Sequence, residues 1–267
     1  MQLHFKDYGN GPPLIILHGL FGSLDNWHST SVKLAAQFHV FAVDQRNHGS
    51  SPHASEMSYP AMANDLDEFM RAHGPARAHM LGHSMGGKTA MEFALRYGDR
   101  VEKLIVVDIA PRAYSPRHEK ILQAMLSLDL PAFETRKEIE EALAPAVPEL
   151  ATRQFLLKNV TRAPGQTFHW KLGLREIAGD YARLSEPPTA TAPYGKPVLF
   201  VRGEASDFLL DEDISLIRGL FPQAELRTIP WAGHLPHVEN PAAFLQTVNE
   251  FLAANRTGDE HLSRGSS

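Results

Sequence analysis

Gly82-His83-Ser84-Met85-Gly86 constrains this chain more than any other stretch. Glycines two residues either side of a serine suit a turn so sharp that larger side chains at those places would collide. Such a turn joins a buried strand to a helix and pushes the serine hydroxyl out where a substrate carbonyl can reach it. Both flanks fit. Ala78-His79-Met80-Leu81 is short and mostly apolar, as a buried strand should be. Gly86, Ala90, Phe93, Ala94 and Tyr97 fall on one helical face, and Gly98 supplies a C-terminal stop. Ser84 is therefore the candidate nucleophile.

The rest of the chain supplies the scaffold that this turn needs. Leu3-His4-Phe5 reads as an edge strand, closed by the turn cluster Gly9-Asn10-Gly11-Pro12-Pro13. Leu14-Ile15-Ile16-Leu17 and Val40-Phe41-Ala42-Val43 are continuous apolar runs of the kind found in central parallel strands covered on both faces. Between them Trp27, Leu34, Ala35 and Phe38 suggest a crossover helix. Ser58 can cap a helix carrying Met62, Leu66, Phe69 and Met70 on one face, ended by His73-Gly74-Pro75. Leu104 to Asp108 reads as the next strand, Val198 to Gly203 as a later one, and Glu225 to Ile229 as the last. Phe244, Val248, Phe251 and Leu252 mark a closing helix. Strand and helix alternating at this pitch predict an α/β fold with a doubly wound, mostly parallel sheet. Residues 112–193 break the rhythm. They show helical patterns but no convincing buried strand, and Pro131, Pro145, Pro148, Pro164, Pro187 and Pro188 cut them into short pieces. The expected organisation is a core of residues 1–111 and 194–255, an inserted helical cap of residues 112–193, and a polar, disordered tail of residues 256–267.

Composition narrows the function classes. With 43% apolar residues in 267, the chain can bury a sizeable core. A net charge of −5 gives no electrostatic case for nucleic acid or an anionic membrane. The absence of cysteine excludes disulfides, thiolate metal sites and a cysteine nucleophile. No signal-peptide core or membrane-spanning apolar run is visible, so the expected setting is cytoplasmic, with a small-molecule substrate and no protein partner indicated.

A serine hydroxyl needs a base to take its proton, and the base needs an orienting acid. In folds built on this turn the chain order is serine, acid, histidine. Of 14 histidines, His234 stands apart: it follows the last strand and is preceded by Gly233. Loops beyond the carboxyl ends of strands are where open α/β sheets assemble sites. The acid has two candidates. Asp207 lies in the loop before the strand that leads to His234 and is favoured for that reason; Asp108, directly after the strand that follows the nucleophile's helix, is the alternative. The oxyanion of the tetrahedral intermediate needs preorganised donors. Those expected are the backbone N–H of Met85, which opens the helix, and that of Leu20, in the loop after the first core strand. His18, Arg46 and His48 are expected to brace that loop.

These motifs together resemble the α/β-hydrolase family across residues 1 to about 255. The matching stretches are His18-Gly19-Leu20-Phe21-Gly22-Ser23, Asp44 to Gly49, Gly82 to Lys88, and Gly233-His234. More narrowly, the chain is similar to the small YbfF-type bacterial esterases and their mitochondrial relatives, through Leu24-Asp25-Asn26, Tyr59 to Ala63, Lys88 and Asp108-Ile109-Ala110-Pro111. The resemblance implies hydrolysis of carboxylic esters or thioesters of small to medium acyl chains through an acyl-serine, without cofactor or metal. In the YbfF-like group the acid sits at the position of Asp108, while much of the wider family keeps it where Asp207 stands. A substrate pocket is then expected between sheet and cap, with Phe21, Trp27, His83, Tyr114, Phe168, Trp170, Phe208 and Trp231 as candidates to line it. Core packing is an equally ready role for each aromatic. A cofactor-free perhydrolase, a carbon–carbon bond hydrolase or a lyase would use the same serine and histidine. A non-catalytic, hydrolase-like receptor is the alternative of another class.

Overall fold

The computed structural model describes residues 1–254; the tail expected at residues 256–267 lies outside the described residues. Seven strands form one sheet: β1 (Phe5–Tyr8), β2 (Pro13–Leu17), β3 (His39–Val43), β4 (Ala78–His83), β5 (Val101–Val107), β8 (Val198–Gly203) and β9 (Ala224–Ile229), in the order β1-β3-β2-β4-β5-β8-β9. All neighbours are parallel except β1, which runs antiparallel to β3 with Phe5 opposite Val43 and Tyr8 opposite Val40. The edge strand thus starts two residues later than the apolar pair Leu3 and Phe5 suggests. Leu3 is instead spent in the core.

Side-chain alternation along the strands explains the layers. Ile15 and Leu17 face one way and pack with Leu66 and Phe69 of α2 (Tyr59–His73), Ala90 and Phe93 of α3 (Met85–Arg96), and Ile217 of α9 (Ile214–Leu220). Leu14 and Ile16 face the other way and meet Leu34 of α1 (His28–Leu34) and Phe244 and Val248 of α11 (Pro241–Ala253). Helices therefore cover both faces, as the sequence rhythm predicts. α2 begins where expected: Ser58 Oγ accepts the Ala61 N–H at 3.3 Å, and Gly74 ends the helix at φ 96°. α1 is shorter than the apolar spacing implies. Asn26 Oδ1 accepts the Ser23 N–H at 2.7 Å and folds Leu24–Trp27 into a 3₁₀ turn, so Trp27 precedes the helix.

Between β5 and β8 the chain leaves the sheet. It forms α4 (Glu119–Ser127), α5 (Arg136–Leu143), α6 (Leu150–Leu157), α7 (Leu174–Gly179) and α8 (Tyr181–Ser185). A two-stranded hairpin, β6 (Val160–Thr161) with β7 (His169–Trp170), lies among them. Strands of two residues carry no periodicity, which is why the sequence shows only helices there. These helices bury their own apolar cluster, including Leu122, Met125, Ile139, Leu156 and Ile177. It joins the sheet portion through Phe21, Tyr59, Met62 and Met85. A short helix, α10 (Pro236–Glu239), follows the loop after β9. No described helix is long and apolar enough to cross a membrane.

Candidate active site

Parallel strands bring their carboxyl ends to one edge, and the candidate residues collect there. Ser84 stands between β4 and α3 at φ 52° and ψ −117°, with its N–H donating to the Val107 carbonyl at 3.0 Å. A non-glycine residue in that region stores about 1–3 kcal/mol of strain, and the glycines make the turn feasible. A Cβ on Gly86 would lie 2.5 Å from the Leu17 and His18 carbonyl oxygens, and one on Gly82 would run into the Gly86 carbonyl. Both spaces are taken by backbone, which cannot yield.

The loop after β2 lies directly against the serine, since a Cβ on Gly19 would be 3.3 Å from Ser84 Cβ. Its shape is fixed from below. His18 Nε2 accepts the Gln45 N–H at 3.0 Å, so its proton sits on Nδ1 and is donated to the Gly19 carbonyl at 2.8 Å. His48 Nε2 accepts the Phe21 N–H at 3.3 Å, and its Nδ1–H goes to the Arg46 carbonyl at 2.9 Å. Burial lowers His18 to about 4 and His48 to about 3, so both stay neutral and keep these tautomers. Arg46 grips buried Asp65 with two bonds of 2.6 and 2.9 Å. The loop carrying Leu20 is held by this bracing, in keeping with the part expected of His18, Arg46 and His48.

The aspartate that meets His234 is not the one the sequence reading favours. Asp108, fully buried at φ 52°, accepts a hydrogen bond from His234 Nδ1 at 2.8 Å. Its other oxygen accepts the Gly203 N–H at 2.9 Å, and Ser206 Oγ donates to the first. Asp207 points away. Its side chain is 68% exposed and ion-paired with Arg117 at 2.7 Å. Three residues of loop separate Asp207 from the end of β8, whereas Asp108 follows β5 directly and its left-handed backbone turns the carboxylate across the end of β8. His234 is further positioned through His83, whose Nε2–H donates to the His234 carbonyl at 2.8 Å, and by Phe208, stacked on its ring at 3.8 Å between centroids.

A cleft of about 460 Å³, partly open to solvent, lies over Ser84. Of the pocket candidates Tyr114 and Phe208 line it, together with Leu20, Met85, Tyr59, Lys88, Arg117, His118 and Tyr181. The other aromatic candidates do not. Trp27 packs beneath the sheet, stacked on His237 at 4.0 Å. His83 is buried behind the serine, and Phe21, Phe168 and Trp170 belong to the apolar cluster of the inserted helices. Trp231 is 86% exposed. Aromatic identity says that a side chain will be covered, not on which side of the sheet. Arg117, His118 and Tyr181 were not foreseen, and no spacing marks them; Lys88 was visible only as a family cue. No group of side chains suited to a metal ion occurs among the described residues.

A strained serine at a strand-to-helix turn, with an aspartate after β5 meeting a histidine from the loop after β9 across the end of β8, defines a class. Residues 12–241 match the alpha/beta hydrolase fold family, and the chain belongs to it. Within that class it is similar to the sn-1-specific diacylglycerol lipase ABHD11 of Mus musculus, with 39% identity over 250 residues, 91% of this chain and 81% of that one. It is also similar to the esterase YbfF of Escherichia coli, with 33% identity over 244 residues, 91% of this chain and 94% of that one. Among solved structures, a marine microorganism esterase aligns with a TM-score of 0.91 and 44% identity, covering 94% of this chain and 99% of that one.

Proposed function

We propose that the protein is a carboxylesterase-type serine hydrolase with Ser84 as nucleophile, His234 as general base and Asp108 as the acid that orients it. The observation that carries this reading is the Asp108–His234 bond of 2.8 Å beside a serine held at φ 52°. Ser84 Oγ attacks the ester carbonyl carbon while His234 Nε2 takes its proton. Negative charge gathers on the carbonyl oxygen, where the N–H groups of Leu20 and Met85 receive it; Met85 opens a twelve-residue helix whose dipole favours an anion. The C–O bond to the alcohol breaks, and the alkoxide leaves with the proton held on His234. Water then attacks the acyl-serine by the same route, its proton passing to His234 and on to Ser84 Oγ, which releases the acid.

The pocket lies between the sheet portion (residues 1–111 and 194–255) and a cap of residues 112–193, and the named esterases and lipases among the relatives support ester cleavage. A serine at the turn is unsuited to dehalogenase or epoxide hydrolase chemistry, which requires a carboxylate nucleophile. The test is release of p-nitrophenol from short-chain and medium-chain esters by the parent and by Ser84→Ala, together with fluorophosphonate labelling. Turnover and labelling are expected in the parent and absent in the variant. Hydrolysis by Ser84→Ala at the parent rate would overturn the assignment.

A further inference from the structure

The cleft over Ser84 is lined by the cations Lys88 and Arg117 and, among the described residues, by no aspartate or glutamate. The chain as a whole carries a net charge of −5, so this is a local reversal of sign. Arg117 already has a counter-charge, because it donates to Asp207 and lies over the Phe208 ring at 4.7 Å. Lys88 enters no ion pair among the described residues, and the Glu186 carboxylate acts on it only from beyond contact distance. Its side chain is 1% exposed. Nζ donates to the Ser185 and Glu186 carbonyls at 3.1 and 2.6 Å and lies 4.8 and 5.6 Å from the ring centroids of Tyr114 and Tyr59.

An ammonium has three donors, so two carbonyls leave one N–H without an acceptor, and the charge is met only by the two rings and the more distant Glu186 carboxylate. Burying such a group is unfavourable, and an apolar residue of similar volume is usually at least as stable in its place. Burial lowers Lys88 to about 7, with the Glu186 carboxylate opposing the shift and Arg112 adding to it. Lys88 is also one turn from the serine: its N–H donates to the Ser84 carbonyl at 3.0 Å. Four residues of helix rise about 6 Å and return to the same face. The alcohol departs to solvent while the acyl group is bonded to Ser84, which puts the acyl group toward buried Lys88 rather than toward partly exposed Arg117.

We infer that Lys88 is a specificity-determining residue that selects esters whose acyl group carries a carboxylate a few bonds from the scissile carbonyl. The carboxylate would take the free N–H and charge of Lys88, while the Tyr59 and Tyr114 rings flank the methylene chain. The inference rests on the Ser84 acyl-enzyme reading.

The experiment compares kcat/KM for monomethyl succinate and monomethyl glutarate with their uncharged isosteres, methyl 4-methylpentanoate and methyl 5-methylhexanoate, by pH-stat titration. The parent is expected to favour at least one charged ester over its isostere by 10-fold or more. In Lys88→Met that ratio is expected to fall at least 10-fold, and Lys88→Arg, which keeps the charge, to retain more of it. A parent that hydrolyses the neutral esters but prefers neither charged one overturns the inference and leaves the Ser84 reading intact. So does an unchanged ratio in a folded Lys88→Met. Turnover of the neutral esters by Ser84→Ala would reject the underlying reading instead. If Lys88→Met does not fold, the parent ratio and that of Lys88→Arg decide.

Discussion

Asp108→Asn separates the two candidate acids without disturbing the backbone. Asparagine tolerates a positive φ about as well as aspartate, so the φ of 52° at this position is no obstacle to it. The hydrogen-bond arrangement is. Asp108 receives three donors: His234 Nδ1–H, the Gly203 N–H and the Ser206 hydroxyl. An amide can accept at only one of its two atoms. If its NH₂ faces His234, the imidazole must accept at Nδ1 and carry its proton on Nε2, where it cannot act as a base. If the NH₂ faces Gly203 instead, two donors confront each other in a fully buried site, at about 1–3 kcal/mol in stability. Loss of the productive tautomer in a triad of this kind lowers kcat by about 10⁴, or about 5 kcal/mol in activation free energy. Asp207→Asn removes an ion pair whose carboxylate is mostly exposed, and such pairs contribute about 0–1 kcal/mol to stability; kcat is expected to stay within about threefold of the parent. The assay is kcat on p-nitrophenyl butyrate for both variants, with thermal unfolding to check the fold. A folded Asp108→Asn retaining a tenth of parent activity, or an equal loss in Asp207→Asn, would refute the argument.

Further outcomes follow from the same geometry. Gly86→Ala puts a methyl group against the Leu17 and His18 carbonyls, so a lowered Tm and at least a 100-fold loss of kcat are expected; near-parent activity would mean that the turn can open. Asp65→Asn strands the buried Arg46 guanidinium and should lower the unfolding free energy by about 3–5 kcal/mol, read as a shift in the urea midpoint. His18, His48 and His237 are held neutral by burial, with pKa values lowered to about 4, 3 and 3, against an ordinary value of 6.5. Below about pH 6 the unfolded chain binds protons that the folded one refuses. Stability should therefore fall as pH drops, by about 1.4 kcal/mol per pH unit for each histidine until its folded pKa is reached. A Tm unchanged between pH 7 and pH 5 would contradict this.

What the sequence reveals and what it hides divide along a physical line. The turn at Ser84 could be read because its requirement is steric and local: the carbonyls of Leu17, His18 and Gly86 exclude any Cβ at Gly82 or Gly86. The strands could be read because central parallel strands are apolar on both faces, as Leu14 to Leu17 are. The acid could not, because two aspartates follow strand ends and the difference lies in long-range partners. Arg117, ninety residues away in sequence, holds Asp207 outward, while the Gly203 N–H and Ser206 hydroxyl hold Asp108 in place. The pocket was the least visible part. Trp27 and Trp231 are equally aromatic on paper, yet one is buried against His237 and the other stands in solvent.

The distribution of backbone strain ties the fold to the site. Among the described residues, five non-glycine residues have positive φ: Phe21, Asn47, Ser84, Asp108 and Trp231. They follow β2, β3, β4, β5 and β9 respectively, so all five lie beyond the carboxyl ends of strands in one sheet. Asparagine and aspartate visit this region readily, but phenylalanine, serine and tryptophan do not, and each such residue stores about 1–3 kcal/mol. Random sequence tolerance would scatter such residues among all the loops. Confinement to one edge means that the sheet, with its two apolar layers, stabilises a set of loops that would not hold their shape alone. Ser84 and Asp108 gain their orientation from that strain: relaxing either backbone would swing the side chain away from the cleft or from His234. A stabilising redesign of this protein should therefore leave these five positions alone and act on the opposite edge, where the loops enter the strands.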